Sequence, residues 1–587
     1  MITTGSRPFA GRPPLTSCLA LALLASTALG STLARADDDG VHFRPGDLLL
    51  SRAVYDNNAV SITAGVTQLP PNCTAGNCAT ANSGGTYPQV FNNDQVDGSF
   101  GVTSKIVLDE LRPDGDHVQS LEVPNSAQRG ITANRDQMVT SFSSKSEIAL
   151  NLSLDHRTVS FMGYLAPVGA IDVSNSNTPD VVDPTNPVPS SYFRVIATVD
   201  ENGHFRFTKT NAYSGNNGRA AILNDRHGLD VVYTTGNAGN GGNPQPNGII
   251  IGAGAQIVTQ AHAPLAQQPD PGQPTPVGSF NVTQLGLKAD KTGKDTNFRG
   301  LTVFNNVIYV TKGSGGNGIN TVYFIDNSGF NASGQPLACP NGTGVPSTSA
   351  TLPTTPIVYD ATKLQTLGVT PYNMCVLHGF PTNSAKTTTV TMFPFGVWFA
   401  DAKTLYVADE GNGTATYSAA SNTYTAAATQ TNAGLQKWVF NETTGTWTLA
   451  YTLQAGLNLG VPYTVSGYPI GTNSVTGSPW SPATDGLRNI TGRVNRDGTV
   501  TIWAITSTVC GSGDQGADPN KLVVITDKLA ATTLPAGESF TTVKTAGFSE
   551  ALRGISFTPG TDFDRDDRAD GGFCDHSRGH GDCHDAD

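Results

Sequence analysis

The sequence predicts an all-β fold, a single β-propeller with six four-stranded blades, or with seven if an insertion hides one. Short runs of apolar and β-branched residues come in groups of four, and turn signals such as "DENG" and "NETTG" separate them. The composition agrees, since only 14% of the 587 residues are charged while glycine and proline number 65 and 36. In addition, a marker recurs along the chain, an arginine followed by a small residue and an apolar run.

Residues 1–36 differ in composition from the rest of the chain. Arg7 and Arg12 precede an apolar run over residues 19–30, and "ARA" ends at Ala36. This order is typical of a secretory signal peptide cut after Ala36, so we expect a secreted or periplasmic protein. The apolar run is shorter than the roughly 20 residues that a membrane-spanning helix needs, and no membrane span is expected elsewhere.

The formal net charge of −12 argues against two classes of partner. Nucleic acid and anionic membrane surfaces attract basic proteins, whereas this chain has 47 acidic side chains against 35 basic ones. We therefore expect neither as a partner.

The markers divide residues 37–560 into blades. Four arginines, a glutamate and a phenylalanine occupy the marker positions: Glu147, Arg219, Arg299, Phe395, Arg488 and Arg553. Only one strand follows Arg553, whereas the start of the mature chain offers three, at 47–55, 104–111 and 117–124. One C-terminal and three N-terminal strands would complete the last blade and leave no open sheet edge.

Several segments resemble secreted bacterial β-propeller proteins of NHL- or YVTN-like character. These segments are "GDLLLSRAVYDN", "IVLDELRPDGDHVQSLEVP", "LNLSLDHRTVSFMGY", "LYVADEGNGT", "GLQKWVFNETTGTWTLAYTL" and "LRGISFTP". The resemblance covers nearly the whole mature chain. It implies a propeller fold but no particular reaction, because most proteins of this group have no assigned activity.

The markers also locate a candidate site in the central channel. The innermost strand of each blade lines the channel, so residues at the same phase of several blades should lie at the same depth. A partial ring of guanidinium groups would result from Arg219, Arg299, Arg488 and Arg553, with Glu147 at the same phase of another blade. Like charges so close together need acidic partners or an anion. Two interpretations stay open, contacts between blades and binding of an anionic ligand.

Carboxylates at strand ends are candidate calcium ligands. Asp409 and Glu410 in "YVADEGNG" end a strand, and Asp225 and Asp401 are the candidate companions. Calcium prefers oxygen ligands, and lactonase-like propellers hold a divalent cation with such groups at blade ends. The alternative is that these aspartates cap turns. Calcium is the one cofactor that the sequence predicts.

The cysteines predict disulfides, as expected in an oxidising compartment. Cys18 leaves with the signal peptide, and Cys510 is left over. The other six could form local or moderately spaced pairs, although spacing alone does not determine the connectivity: Cys73 with Cys78, Cys339 with Cys375, and Cys574 with Cys583.

Residues 561–587 are predicted to form a disordered Asp/His-rich tail. From Asp562 onward they include nine aspartates, three histidines and two cysteines, too little apolar surface to offset the entropy of ordering. A zinc or copper site is the alternative there, if the thiols stay reduced.

Two classes of function follow from these features. The favoured one is a monomeric binding or scaffold module for an extracellular or envelope ligand, which would be a glycan, an anionic small molecule or a protein. The alternative is a calcium-dependent hydrolase, lactonase or lyase that uses the rim carboxylates and the channel arginines. The binding module is favoured because the scaffold is complete, whereas no GxSxG, HExxH or P-loop motif is present.

Overall fold

The computed structural model describes most of the chain between residues 41 and 562. The described ranges, apart from a few isolated positions between them, are 41–57, 62–69, 79–81, 101–131, 136–182, 188–237, 254–260, 276–278, 297–314, 318–329, 331–332, 336–355, 373–385, 389–511 and 515–562. None of their helices is long and apolar enough to cross a membrane.

Six antiparallel sheets form a closed ring of blades, which confirms the six-bladed propeller. In each blade the strands run in order from the channel outward. Blade 1 contains Asn151–Leu152, Thr158–Tyr164, Arg194–Asp200 and Phe205–Thr210. Blade 2 contains Gly218–Asn224, Val231–Gly236, Ala255–Thr259 and Pro276–Gly278. Blade 3 contains Leu301–Phe304, Val307–Lys312, Thr321–Ile325 and Met374–Leu377, and Thr343–Gly344 pairs in parallel with the last of these.

The remaining blades follow the same plan. Blade 4 contains Pro394–Asp401, Thr404–Asp409, Gly434–Asn441 and Thr446–Leu453. Blade 5 contains Ala483–Val494, Thr499–Val509, Lys521–Lys528 and Thr541–Thr545. Blade 6 contains Glu550–Phe557, Leu48–Val54, Thr103–Leu111 and His117–Glu122, and Thr140–Ser141 also pairs with the third of these.

A few short elements lie outside the blades. Two small hairpins pair Gln68–Leu69 with Ala79–Thr80 and Tyr417–Ser418 with Thr423–Tyr424. The described residues contain one α-helix, Thr425–Ala428, and two 3₁₀ turns, Val173–Asn175 and Arg226–Gly228.

The ring closes in blade 6 through both ends of the described chain. Leu48–Val54 pairs antiparallel with Glu550–Phe557, so that Leu48 lies opposite Phe557 and Leu50 opposite Ile555. The predicted closure with one C-terminal and three N-terminal strands is therefore confirmed. The two chain segments meet between the innermost and the second strand of blade 6, so backbone hydrogen bonds hold both of them in the ring.

The hydrophobic core lies between the blades. Successive strand residues point to opposite faces, and each face of a blade packs on its neighbour, so alternate residues on both sides are buried. Trp503 of blade 5 illustrates the contact, because its ring meets Phe557 of blade 6 edge-on at 5.6 Å and its indole N–H donates to the Pro113 carbonyl at 3.1 Å. Burying a large apolar side chain contributes about 1.5–3 kcal/mol, so these interfaces supply much of the stability.

Glycines permit the closest approach between innermost strands. A Cβ atom on Gly300 would overlap with the Phe395 carbonyl of blade 4, and one on Gly396 with the Arg488 carbonyl of blade 5. A Cβ on Gly554 would overlap with the backbone that leads into blade 1. At three of the six markers, the glycine that follows is therefore required by backbone contact with the next blade.

Polar side chains link neighbouring blades at the same level. The Ser51 hydroxyl of blade 6 donates to the Ile148 carbonyl at 2.7 Å, and the Ser160 hydroxyl of blade 1 donates to the Ala221 carbonyl at 2.8 Å. Thr311 of blade 3 donates in the same way to Phe395 of blade 4. Each bond satisfies a buried carbonyl that the channel edge of the next sheet would otherwise leave unpaired.

One of the three predicted disulfides is present among the described residues. Cys339 and Cys375 are bonded, with their Cα atoms 6.0 Å apart, and they tie the long insertion of blade 3 to its outermost regular strand. Cys510 is a buried thiol that contacts the Trp480 carbonyl at 2.8 Å. The other four cysteines lie outside the described residues: Cys73, Cys78, Cys574 and Cys583.

Gly554→Ala should destabilise the protein by about 2–3 kcal/mol, because the added methyl group would press on the backbone of blade 1. Gly498→Ala is the control, since it has open space around its Cβ position and should cost about 1 kcal/mol through its left-handed backbone alone. Urea unfolding of both variants measures the difference. Equal losses would contradict close packing of the innermost strands.

Candidate ligand-binding site

All four marker arginines are buried at or next to the innermost strands. Arg219, Arg488 and Arg553 lie on such strands, and Arg299 lies two residues before one. Each is less than a tenth exposed, although a guanidinium group keeps its charge under almost all conditions. Their positive charges must therefore be balanced inside the ring.

Arg219 and Arg553 are satisfied mainly by backbone carbonyls of neighbouring blades. Arg219 donates to the Asn297 side chain and, at 3.1 Å, to the Phe298 carbonyl, both at the entrance to blade 3. Arg553 donates to the Phe142 carbonyl, before blade 1, and to the Gly516 carbonyl of blade 5 at 2.6 Å. Burial, the largest influence, and the nearby Arg299 lower the pKa of Arg219 to about 9. Both arginines thus connect blades.

Glu410 joins the other two arginines across three blades. Its carboxylate lies 3.5 Å from Nη1 of Arg299, from blade 3, and 3.2 Å from Nε of Arg488, from blade 5. Arg299 also stacks over the Phe395 ring, 5.3 Å from its centre. Burial by itself would raise the pKa of Glu410, but Arg299, Arg488 and Lys145 outweigh it and hold the pKa below its ordinary value. Glu410 is therefore ionised between three cations.

Glu147 has a different set of partners. It accepts hydrogen bonds from the Thr140 hydroxyl at 2.8 Å, the Ser141 amide at 2.9 Å and the Tyr164 hydroxyl. Arg194 lies over the Tyr164 ring at 5.1 Å and is fully buried, but the sequence analysis did not single it out. It is the first residue of the third strand of blade 1 and belongs to no recurring sequence pattern, so only the packing of blade 1 reveals it.

A cavity of about 300 Å³ opens beside Glu410, at the end of the channel where the innermost strands begin. Its walls come from blades 3, 4 and 5 and from the segment before blade 1. The lining residues with polar side chains are Lys145, Ser314, Asn320, Glu410, Asn412, Asp485, Arg488 and Gln515. The Lys145 ammonium group donates to Gln515 at 2.5 Å, which joins the two sides of the opening.

Asp485 is a second carboxylate in this cavity, and the sequence analysis did not identify it. It accepts hydrogen bonds from the Gly413 amide at 2.8 Å and from the Gln430 side chain at 2.7 Å. Burial raises the pKa of Asp485 to about 6, and Glu410 adds to the rise. Its place three residues before Arg488 on the same strand was the available signal, but only the fold brings it beside Glu410.

The predicted calcium ligands do not come together. Asp409 is paired with Pro394, the first residue of the innermost strand of blade 4, whereas Asp401 is the last residue of that strand. Asp225 follows the last residue of the innermost strand of blade 2 and meets Asp155 in the adjacent turn. Among the described residues, no group of three or more His, Cys, Asp or Glu side chains is placed to hold a metal ion.

Asp409 and Asp401 instead satisfy local backbone groups. Asp409 accepts from the Phe393 amide at 2.7 Å, the Gly411 amide at 3.0 Å and the Gln436 side chain at 3.2 Å. Burial raises the pKa of Asp409 to about 8. Asp401 caps an exposed turn by accepting from the Lys403 amide at 2.8 Å.

Solved structures with a detectable similarity to this chain share only a low sequence identity with it. No family model and no curated protein matches the chain. A crystal structure of an ACO/RPE65 chimera matches 78% of this chain with 8% identity and a TM-score of 0.21, and the match spans only 59% of the chimera. A polysaccharide lyase of family PL25, an ulvan lyase, matches 88% of this chain and 96% of its own with 10% identity and a TM-score of 0.26.

A third solved structure is the haemagglutinin-neuraminidase ectodomain of parainfluenza virus 5. It matches 78% of this chain and 77% of its own, with 9% identity and a TM-score of 0.22. Identities and TM-scores this low carry no information about a ligand or a reaction. Beyond the propeller fold, the resemblance to NHL- and YVTN-like proteins stays a prediction.

Arg488→Met should lower the free energy of unfolding by about 3 kcal/mol, because it leaves the buried Glu410 carboxylate with one fewer positive partner. Arg493→Met, at a half-buried position near the C-terminal end of the same strand, is the control and should cost about 0.5 kcal/mol or less. Chemical denaturation without ligand measures both. If the two variants were equally stable, Glu410 would not depend on Arg488.

Proposed function

We propose that the protein is a secreted binding propeller whose ligand is a small hydroxylated carboxylate of the sugar-acid class, held in the cavity beside Glu410. The observation that carries this proposal is the charge balance of the cavity. Three cations, Lys145, Arg299 and Arg488, lower the pKa of Glu410, and two of them, Lys145 and Arg488, line the cavity together with Glu410 and Asp485. Two positive side chains at one opening favour an anionic ligand.

The neutral polar groups of the cavity favour a ligand with several hydroxyl groups. The walls carry the amides of Asn320, Asn412 and Gln515, whose oxygens accept from Lys312 at 3.0 Å, from the Thr414 amide at 2.8 Å and from Lys145 at 2.5 Å. Because an amide oxygen has two lone pairs, each could accept a further hydrogen bond from a ligand hydroxyl. The volume of about 300 Å³ is at the small end of ligand pockets, which fits a monosaccharide or the end of a glycan.

Secretion is supported by two features of the chain. The N-terminal segment has the pattern of a signal peptide, and Cys339 and Cys375 form a disulfide, a bond that persists in oxidising compartments. An extracellular or periplasmic sugar acid would meet the protein there.

Lys145→Gln should weaken binding of a uronic acid about tenfold, since it removes one of the two positive side chains that line the cavity. Titration calorimetry with glucuronate, and with glucose as the uncharged probe, measures the effect. Lys105→Gln removes a lysine of similar exposure that pairs with Glu122 on blade 6 and should leave affinity unchanged. Equal affinity of glucose and glucuronate, or wild-type affinity of Lys145→Gln, would contradict the proposal.

Glucuronate affinity should rise as the pH falls from 7.5 to 5. Asp485, whose pKa is raised to about 6, loses its negative charge over this interval. The sugar carboxylate has an ordinary pKa of about 3.5, so it stays ionised. Asp485→Asn should bind tightly at pH 7.5 and show little pH dependence, whereas the exposed Glu442→Gln should behave as wild type. A pH profile that Asp485→Asn leaves unchanged would show that another group is responsible.

A further inference from the structure

A lysine and an aspartate are buried together between blades 4 and 5. Nζ of Lys437, on the third strand of blade 4, lies 2.9 Å from Oδ2 of Asp527, on the third strand of blade 5. Neither side chain has any exposed surface. A pair so deeply buried carries a large desolvation cost, which its mutual attraction often fails to offset.

Two tyrosines lie beside Lys437 and contact the carboxylate of Asp527. Tyr406 and Tyr451 are the cross-strand neighbours of Lys437 on its two sides, so all three side chains share one face of blade 4. The Tyr451 hydroxyl donates to Oδ1 of Asp527 at 2.7 Å, and the Tyr406 hydroxyl donates to Oδ2. Donors on both oxygens draw electron density away from Cγ, as the donors of an oxyanion hole do for a carbonyl under attack.

Glu538 is a second carboxyl group, next to Asp527. One of its oxygens accepts from the Lys528 amide at 3.1 Å, and the other, Oε2, is buried with no N–H or O–H donor in reach among the described residues. Burial, followed by contact with Asp527, raises the pKa of Glu538 to about 7. Burial would raise the pKa of Asp527, but hydrogen bonds with Glu538, Tyr406 and Tyr451 outweigh it and lower that pKa. Of the two neighbouring carboxyl groups, Glu538 is therefore the one that carries a proton.

We propose that Lys437 and Asp527 condense to an intramolecular amide that links blades 4 and 5 covalently, with Glu538 transferring the proton. Within the ion pair the Lys437 ammonium group gives one proton to the Asp527 carboxylate, its nitrogen attacks Cγ, and the Nζ–Cγ bond forms. Glu538 gives its proton to the departing hydroxyl and takes one from the nitrogen, and the Cγ–O bond breaks. One water leaves, no group is oxidised or reduced, and no co-reactant is required.

Three features of the site favour this reaction. Cγ is bonded to Oδ2, so the amine nitrogen is already next to the carbon that it attacks, and such positioning is worth an effective concentration of about 10⁵ M or more. The amide is neutral, so its formation removes two buried charges. The surrounding side chains are apolar, including Leu435, Ile525 and Phe540, and they limit the access of water that would reverse the reaction.

The mass of the purified full-length mature protein tests the proposal. After reduction and under denaturing conditions, we expect a mass lower by one water than that of the unmodified sequence, and a digest should contain one peptide pair joined through Lys437 and Asp527. Lys403 and Glu442 form the internal control, because they are an equally close ion pair at 2.7 Å but are exposed, and their peptides should stay separate. A full mass with no joined peptides would overturn the proposal.

Variants test the role of each group. Lys437→Arg and Asp527→Ala should have the full mass of their sequences, and Glu538→Gln should accumulate the unlinked form because its side chain cannot transfer the proton. Glu538→Gln retains Lys437 and Asp527, so it is the variant of choice if the other two fail to fold. Complete linkage of Glu538→Gln at the wild-type rate would overturn the assignment of Glu538, and full linkage of Lys403→Arg is expected.

Discussion

The close approach of the six innermost strands around the channel is the constraint on which the rest of the structure depends. At this small radius the backbone of one blade meets the backbone of the next, and Gly300, Gly396 and Gly554 lie where a side chain would overlap with it. The residue before each glycine points to the opposite face of the strand, because side chains alternate along β-structure. The arginine and the small residue of the marker are thus two consequences of one geometry.

The same approach determines the electrostatics of the ring. Arginines on neighbouring innermost strands are brought within reach of each other and out of water, so each must find carbonyls or carboxylates on an adjacent blade. Glu410 performs this role for Arg299 and Arg488 together, and it links three blades with one side chain. Lys145 joins the same cluster from the segment before blade 1 and lines the cavity beside Glu410.

Away from the channel the blades diverge, and other interactions must hold them. Most of the contact is apolar, as between Trp503 and Phe557, but blades 4 and 5 also share the buried group of Lys437 and Asp527. Burying polar groups between the blades costs free energy unless every donor and acceptor has a hydrogen-bond partner, because water is absent there. Tyr406 and Tyr451 provide those partners, and their hydroxyls are also what makes the site chemically competent.

The sequence by itself determined the fold, because strand patterns, turn signals and the marker are local, and the surplus of one C-terminal and three N-terminal strands is a matter of counting. It indicated Cys339 and Cys375 as a candidate pair, and the structure confirms the bond. The tertiary structure alone decided which side chains meet. Asp485, Gln515 and Lys145 come from distant segments to one cavity, whereas Asp409 and Asp401, eight positions apart, are sent to opposite ends of one strand pair. The position of a residue along the ring axis depends on strand register, which is established by packing between blades and leaves no trace in sequence spacing.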